Sequence, residues 1–490
     1  MSVRKPRSFA RDVSINLIFP PLMVVITLIS VPLYLAQIGL ERYGILTLVW
    51  SITGMFAFFD FGMGAATTYL VAKARNGQAG PSVGSVILTT GLANAGIGMV
   101  LALVFWLGVG PLVFGNVKTD AALAAELSAA MGWITLLLPV GLVTSILSNA
   151  MDGERRFLSG NLIGTSVNIA TVMGTLAVSY WIGPELPNLV LTVLITRILG
   201  LMTYAMAGWS SLQGGRLMTW SEFRSTLHFG GWQVVFSSIS GITSSADRFV
   251  IGWIAGAGAT ALYAIPMNLT ARLRFLPEAL IRTLYPRLSE ASGEDVRQDL
   301  GARALDGMLA GMALLIIPAI LVVRPFFAVW LGSDYEASAG MIAQILLTGV
   351  YVQSCLRVLL VLQRASGRPD LPARLRAVSA LPFLLALVLG VWVDGARGAS
   401  VVILLRFAAE CVWALHVSGL LSRMAPRVVG YLFLCLLAML VAALGYGIWT
   451  GAILTATSFL ALGVLALCQS PDIASLANRL LRKSVRAEQI

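Results

Sequence analysis

The sequence predicts an all-α, polytopic membrane protein of about fourteen transmembrane helices, and three observations carry that prediction. Hydrophobic residues make up 58% of the chain and charged residues 12%, against the ~25% charge of an ordinary soluble domain. Apolar runs long enough to cross a bilayer recur from end to end, with only short polar connections between them. Lys and Arg fall overwhelmingly in every second connection, the pattern of a chain whose basic loops stay on one side of a membrane. The net charge of +11 is therefore read as membrane topology and not as nucleic-acid binding.

The first helix, near 13–37, follows a basic start of Arg4, Lys5, Arg7 and Arg11. Its apolar run is too long for the core of a signal peptide, and no small-residue cleavage site follows, so it is read as a membrane span. Spans near 44–71, 83–109, 127–148, 160–182 and 188–210 complete the first half. A basic connection leads to spans near 226–254, 260–285, 304–330, 339–363, 375–393 and 398–421, and two more follow near 429–447 and 451–469. With the N-terminus inside, inside segments hold 23 of the 34 Lys and Arg, and outside segments hold only Arg42, Lys118 and Arg397. A wrong helix count would scramble that alternation, so both termini are expected to be cytoplasmic. The connections are too short to fold as soluble domains, which confines any function to the helices and their ends. Cys355, Cys411, Cys435 and Cys468 lie in apolar runs with no paired spacing, and read as small buried hydrophobes.

A shift of 220 residues lays the region of "PLYLAQIGLERYGIL" on that of "IGWIAGAGATALYAI" and brings Tyr43 onto Tyr263. With six helices in each half, the repeat suggests two homologous lobes of parallel orientation. The expected division is residues 1–215 and 216–424 for the lobes, with residues 425–490 forming two accessory helices and a basic tail. Helix breakers occupy corresponding places. Pro20 and Pro21 are expected to interrupt the first span, the "DFGMG" segment from Asp60 to loosen the second, and Pro277 to break the eighth.

Charge inside the spans is the strongest functional signal. Ionisable groups at the bilayer centre cost roughly 2.5–3.5 kcal/mol each on insertion scales, so they face protein interior or a wet cavity. Arg406 and Glu410 are spaced to pair along one face. Asp306, Arg324 and Arg357 lie toward span ends, where they are expected to snorkel. The stretch "TARLRFLPEALIR" differs, because Arg274, Glu278 and Arg282 form one stripe with Arg272 beside it. One glutamate cannot neutralise three arginines, and desolvated guanidinium with spare donors suits phosphate. Asp247 and Arg248 are adjacent and point to different sides of the seventh span; Arg248 is expected to join the cationic surface while Asp247 pairs elsewhere or titrates. Arg282, one turn from the cytoplasmic end and within reach of Glu278, is read as a gate or structural pair. No GxxxxGK[ST] motif is present and no cofactor is expected, so transport is expected to draw on an ion gradient, of protons or sodium, or on the substrate's own metabolism.

The segments "GLERYGILTLVWSITGMFAFFDFGMGAATTYLVAKA" and "ADRFVIGWIAGAGATALYAIPMNL", the latter followed by "LYPRLSE", resemble the lobe openings of Wzx-type polysaccharide flippases. These belong to the multidrug/oligosaccharidyl-lipid/polysaccharide exporter superfamily. The resemblance implies two six-helix lobes around a central cavity. It also implies an oligosaccharide on undecaprenyl pyrophosphate as substrate, moved across the bacterial inner membrane for O-antigen or exopolysaccharide assembly. It further implies that Arg248, Arg272 and Arg274 receive the pyrophosphate and that Asp60 and Asp247 assist coupling. The expected partners are the lipid-linked oligosaccharide, the bilayer, and the polymerase and glycosyltransferases of the same pathway; the expected assembly is a monomer, and nucleic acid is excluded. A drug/cation antiporter of the same superfamily is the first rival, but its cavity should carry surplus acid. A membrane glycosyltransferase or polymerase is the second, and it should carry a large external catalytic loop. No enzymatic activity is expected.

Overall fold

The computed structural model describes residues 9–60, 62–76, 80–219, 243, 245–291, 293–368 and 370–444, with short pieces between 450 and 461; the side chains of 9–20, 53–59, 279, 282 and 283 lie outside that description. All regular structure among the described residues is helical. The elements are α1 (Phe9–Phe59), α2 (Met63–Arg75), α3 (Val83–Val104), α4 (Ala121–Gly153), α5 (Phe157–Trp181), α6 (Leu186–Ala207) and α7 (residues 245–254). They continue as α8 (Ala257–Ala271), α9 (Phe275–Glu290), α10 (Glu294–Leu331), α11 (Met341–Ala365), α12 (Asp370–Val417) and α13 (Leu421–Ala443). Nine candidate spans among the described residues are long and apolar enough to cross a membrane. The expected seventh span is described only in its second half, and most of the expected fourteenth lies outside the described residues.

Two of these elements are pairs of spans joined by a sharp turn. Within α1 the backbone leaves helical geometry at Gly39, with φ +78° and ψ 170°, so the first two expected spans meet there. Pro20 and Pro21, expected to interrupt the first span, instead lie in continuous helix. The reason is that proline's fixed φ near −65° is already helical, and a span can tolerate the hydrogen bond it removes. Within α12 the break falls at Asp394 and Gly395, between the eleventh and twelfth expected spans.

The chain divides into two compact units, Met1–Ala264 and Ile265–Ile490. In the first, α4 is the hub, packing on α2, α3 and α6, while α5 packs on α1 and α6. Tyr34 is fully buried there, and its hydroxyl donates to the Val172 carbonyl at 2.5 Å and bonds Thr175. One end of this unit is fastened by ions. Arg42 holds Glu126 at 3.0 and 2.5 Å, and the same carboxylate accepts from the Leu186 N–H at 3.0 Å.

In the second unit α11 is central, packed by α9, α10 and α12. In its most apolar window 89% of residues are buried, against 17% for α12, so α11 is a core helix while α12, which packs on it, keeps most of its residues partly or fully exposed. Its burial explains why Gln344, Thr348 and Ser354 bond backbone carbonyls, as polar groups without water must.

Two glycines permit close backbone approach. A Cβ on Gly44 would lie 1.9 Å from the Ala257 carbonyl oxygen, and one on Gly398 would lie 1.8 Å from that of Gly390. Neither neighbour is a side-chain tip that could swing away. Gly44→Ala and Gly398→Ala are each expected to cost about 1–3 kcal/mol through forced separation of packed helices. Melting of the purified variants checks this, and a wild-type midpoint for either would contradict the packing described.

Candidate functional site

The expected functional residues fall in three places, each built by a helix that stops or changes pitch. The first is the interruption between α1 and α2. Asp60 is 5% exposed, and its two carboxylate oxygens accept from the N–H groups of Gly62 and Gly64, both at 2.9 Å. Gly62 sits at φ +74°, a conformation that glycine adopts without strain and that folds the chain back so both amides reach the carboxylate. The expected loosening of the second span is therefore a full break, closed by Asp60 at the positive start of α2. Asn149 of α4 lies against the same turn, since a Cβ on Gly64 would lie 2.5 Å from the Asp60 carboxylate and 2.7 Å from the Asn149 amide nitrogen. Asp60→Asn is expected to cost about 1 kcal/mol by losing one acceptor at this helix start. A melting midpoint equal to wild type would remove that capping role.

The second place joins α7, α8 and the second half of α1. Asp247 is 3% exposed and accepts from the phenol of fully buried Tyr263 and from the Arg248 N–H at 2.9 Å. Arg248 points the other way, as adjacency requires, and donates to the Ser51 hydroxyl at 2.6 Å. So the aspartate and arginine part company at this point. Tyr263, the residue that the internal repeat matches to Tyr43, is what occupies the aspartate.

The third place lies in the second unit. The eighth expected span is α8 and α9 joined by a 3-10 turn, Arg272–Leu273–Arg274. Pro277 follows in the first turn of α9, where its missing N–H costs least, and the change of pitch precedes it. Arg272 and Arg274 thus project from a tightened turn that packs against α11. Both are half-buried, and Arg272 has no hydrogen bond or ion pair among the described residues. The side chain of Arg282 lies outside the described residues.

Glu278 does not spend its charge along its own helix. Its carboxylate accepts from Arg357 of α11 at 2.7 Å. Arg357, expected to snorkel, is therefore an ion-pair partner, and Asp306 likewise pairs with Arg427 at 2.5 Å. Arg406 and Glu410 form the expected i,i+4 pair at 2.8 Å, with the guanidinium 4.3 Å over the Phe383 ring and Ser379 donating to the same carboxylate. Arg376, which charge spacing did not single out, stands within electrostatic reach of Glu410, Arg406, Arg364 and Arg357. Among the described residues, Arg357 is thus paired with Glu278 and Arg406 with Glu410, while half-buried Arg272 has no ion-pair partner. The three described cysteines, Cys355, Cys411 and Cys435, are free and buried, and no cluster that could hold a metal occurs among the described residues.

Residues 9–292 match a family described as Polysaccharide biosynthesis protein. A Shigella flexneri protein provisionally named an O-antigen transporter is 23% identical over 384 residues, which are 76% of this chain and 90% of that protein. Among solved structures, the lipid II flippase MurJ in an inward closed conformation is similar with a TM-score of 0.67 and 13% identity, over 95% of this chain and 98% of that one. An inward-facing multidrug resistance MATE family transporter of the MOP superfamily is similar with a TM-score of 0.64 and 13% identity, over 84% and 98%. At such identities the structural likeness shows a shared fold.

Proposed function

For a chain that belongs to the Polysaccharide biosynthesis protein family, we propose a flippase that moves an undecaprenyl-pyrophosphate-linked oligosaccharide from the cytoplasmic to the periplasmic leaflet of a bacterial inner membrane. The observation that carries this reading is the arginine surplus of the second unit, with half-buried Arg272 at the 3-10 turn lacking any counter-charge among the described residues. Guanidinium groups in a poorly hydrated setting bind phosphate oxygens through charge-assisted, often paired, hydrogen bonds. A pyrophosphate offers several such oxygens, while its polyisoprenoid chain can stay in lipid. Arg274 shares the task. Alternating access supplies the motion, and the breaks at Gly39, at Asp60–Gly62 and at Arg272–Arg274 are where the helices can bend. Asp60 and Asp247 serve coupling to a proton or sodium gradient, Glu278 with Arg357 and Arg282 serve the gate, and both termini face the cytoplasm.

A drug/cation antiporter is the second reading, favoured by the MATE-like fold. Charge argues against it, because an organic cation would meet repulsion from Arg272 and its neighbours. The two readings separate in proteoliposomes holding purified protein and no nucleotide. A lipid-linked oligosaccharide is expected to reach the outer leaflet there, at a rate that an imposed ion gradient changes. Strict dependence on ATP, or exchange of organic cations with no lipid movement, would overturn the proposal.

A further inference from the structure

One end of the first unit carries a cavity of about 460 Å³ that none of the roles above uses. It is lined by Arg75 at the end of α2, Glu154 and Arg156 between α4 and α5, Ser159 at the start of α5, and Ser210 and Ser211 just after α6. The chain is shaped to put Arg156 there. Arg155 is the only non-glycine with positive φ among the described residues, at +59°, and it ends α4 in a tight turn where the Arg156 N–H bonds the Met151 carbonyl at 2.8 Å. A left-handed arginine in that capping position is strained where a glycine would not be, so the turn that delivers Arg156 is maintained against a local cost.

The charges of the pocket are not balanced. Arg156 donates through Nη1 to the Ala207 carbonyl at 2.8 Å and to Glu154 at 3.3 Å, and Ser211 donates to the other oxygen of Glu154. Glu154 is thereby occupied as an acceptor, while Arg156 keeps Nε and Nη2 for another group. Arg75 is exposed and has no side-chain partner among the described residues. Two guanidinium groups and the hydroxyls of Ser159 and Ser210 thus line a space whose one carboxylate is already engaged, which is the chemistry of a phosphate site. Val83 and Leu158 give the cavity an apolar wall. Trp209, immediately before Ser210, is 63% exposed, and an exposed tryptophan at a span end sits at headgroup depth.

We propose that this cavity binds the phosphodiester headgroup of a bilayer phospholipid, with Arg75 and Arg156 on the phosphate and the Val83–Leu158 wall against the first carbons of its chains. The site is separate from Arg272 and Arg274 and does not depend on what the protein transports. A bound lipid would fasten the ends of α2, α4 and α6 together, so occupancy should stabilise the first unit.

The test is thermal melting of the full chain in detergent with one of three additives: phosphatidylglycerol, a glucosyl diacylglycerol of the same chains, or inorganic phosphate. Phosphatidylglycerol is expected to raise the midpoint saturably, while the glycolipid and inorganic phosphate leave it unchanged. Arg75→Gln and Arg156→Gln are expected to weaken that response by at least about fivefold, the loss of one charge-assisted contact. Lys73→Gln, which removes a nearby cation outside the cavity, is expected to match wild type. Arg75→Gln is decisive should Arg156→Gln fail to fold, since Arg75 supports no neighbour among the described residues. Stabilisation by the glycolipid, saturation by inorganic phosphate alone, an unchanged response in Arg75→Gln, or an equal loss in Lys73→Gln would each overturn the proposal.

Discussion

Arg272→Ala is expected to reduce glycan export by about tenfold or more at unchanged protein level, the loss of one or two charge-assisted contacts of roughly 1.5–3 kcal/mol each. Its position makes this the largest single-site effect. The side chain leaves a 3-10 turn, is partly desolvated, and lacks a partner among the described residues, so its removal leaves no stranded counter-charge there. Truncation should therefore cost function and not stability, whereas cutting one side of a buried pair costs both. Arg272→Lys separates charge from geometry: it keeps the positive charge but loses the planar fork, and should recover only part of the export. Surface glycan and membrane protein level, measured together in a strain lacking the native gene, check the expectation. Wild-type export from Arg272→Ala would sink the phosphate role.

The second large effect concerns Arg357. Its guanidinium holds Glu278 at 2.7 Å, and Glu278 stands one turn beyond Arg274 on the same stretch of chain. Once released, the carboxylate can turn back toward Arg274, four residues earlier, and compete there with a phosphate ligand. Arg357→Ala is thus expected to lower export several-fold, although Arg357 itself need not touch the substrate. Adding Glu278→Gln removes the competing carboxylate and should restore much of the loss, while Glu278→Gln alone should be mild. A double variant no better than Arg357→Ala would show that Arg357 acts directly or through packing. Rescue is the informative result, because general destabilisation would not be repaired by a second change.

Much of this architecture can be read from residues before any coordinates. Apolar run length and the alternation of basic loops place the helices, because bilayer thickness and charge asymmetry act on sequence directly. The Arg406–Glu410 pair is equally legible, being local and set by helix geometry. Contacts between distant segments are not. Arg357 lies 79 residues from Glu278, and nothing in the spacing of either foretells their meeting. Asp60 reads as a coupling acid by its type and depth, whereas its two oxygens lie on backbone amides that no side-chain pattern reveals. The same limit applies to Asn94 of α3, which is fully buried with neither amide atom bonded among the described residues. Prolines misdirect for another reason: they mark lost hydrogen bonds, but the chain turns where φ turns positive, at Gly39 and Gly62.

The central claim is that arginines of the second unit recognise a pyrophosphate, and the most direct measurement is a paired flipping assay. Proteoliposomes would carry the same oligosaccharide linked to the same polyisoprenoid through either a pyrophosphate or a single phosphate. Wild-type protein should move the pyrophosphate-linked lipid at least about tenfold faster, and Arg272→Ala should bring the two rates close together. Equal wild-type rates for the two linkages, or a preference that survives Arg272→Ala intact, would contradict the account.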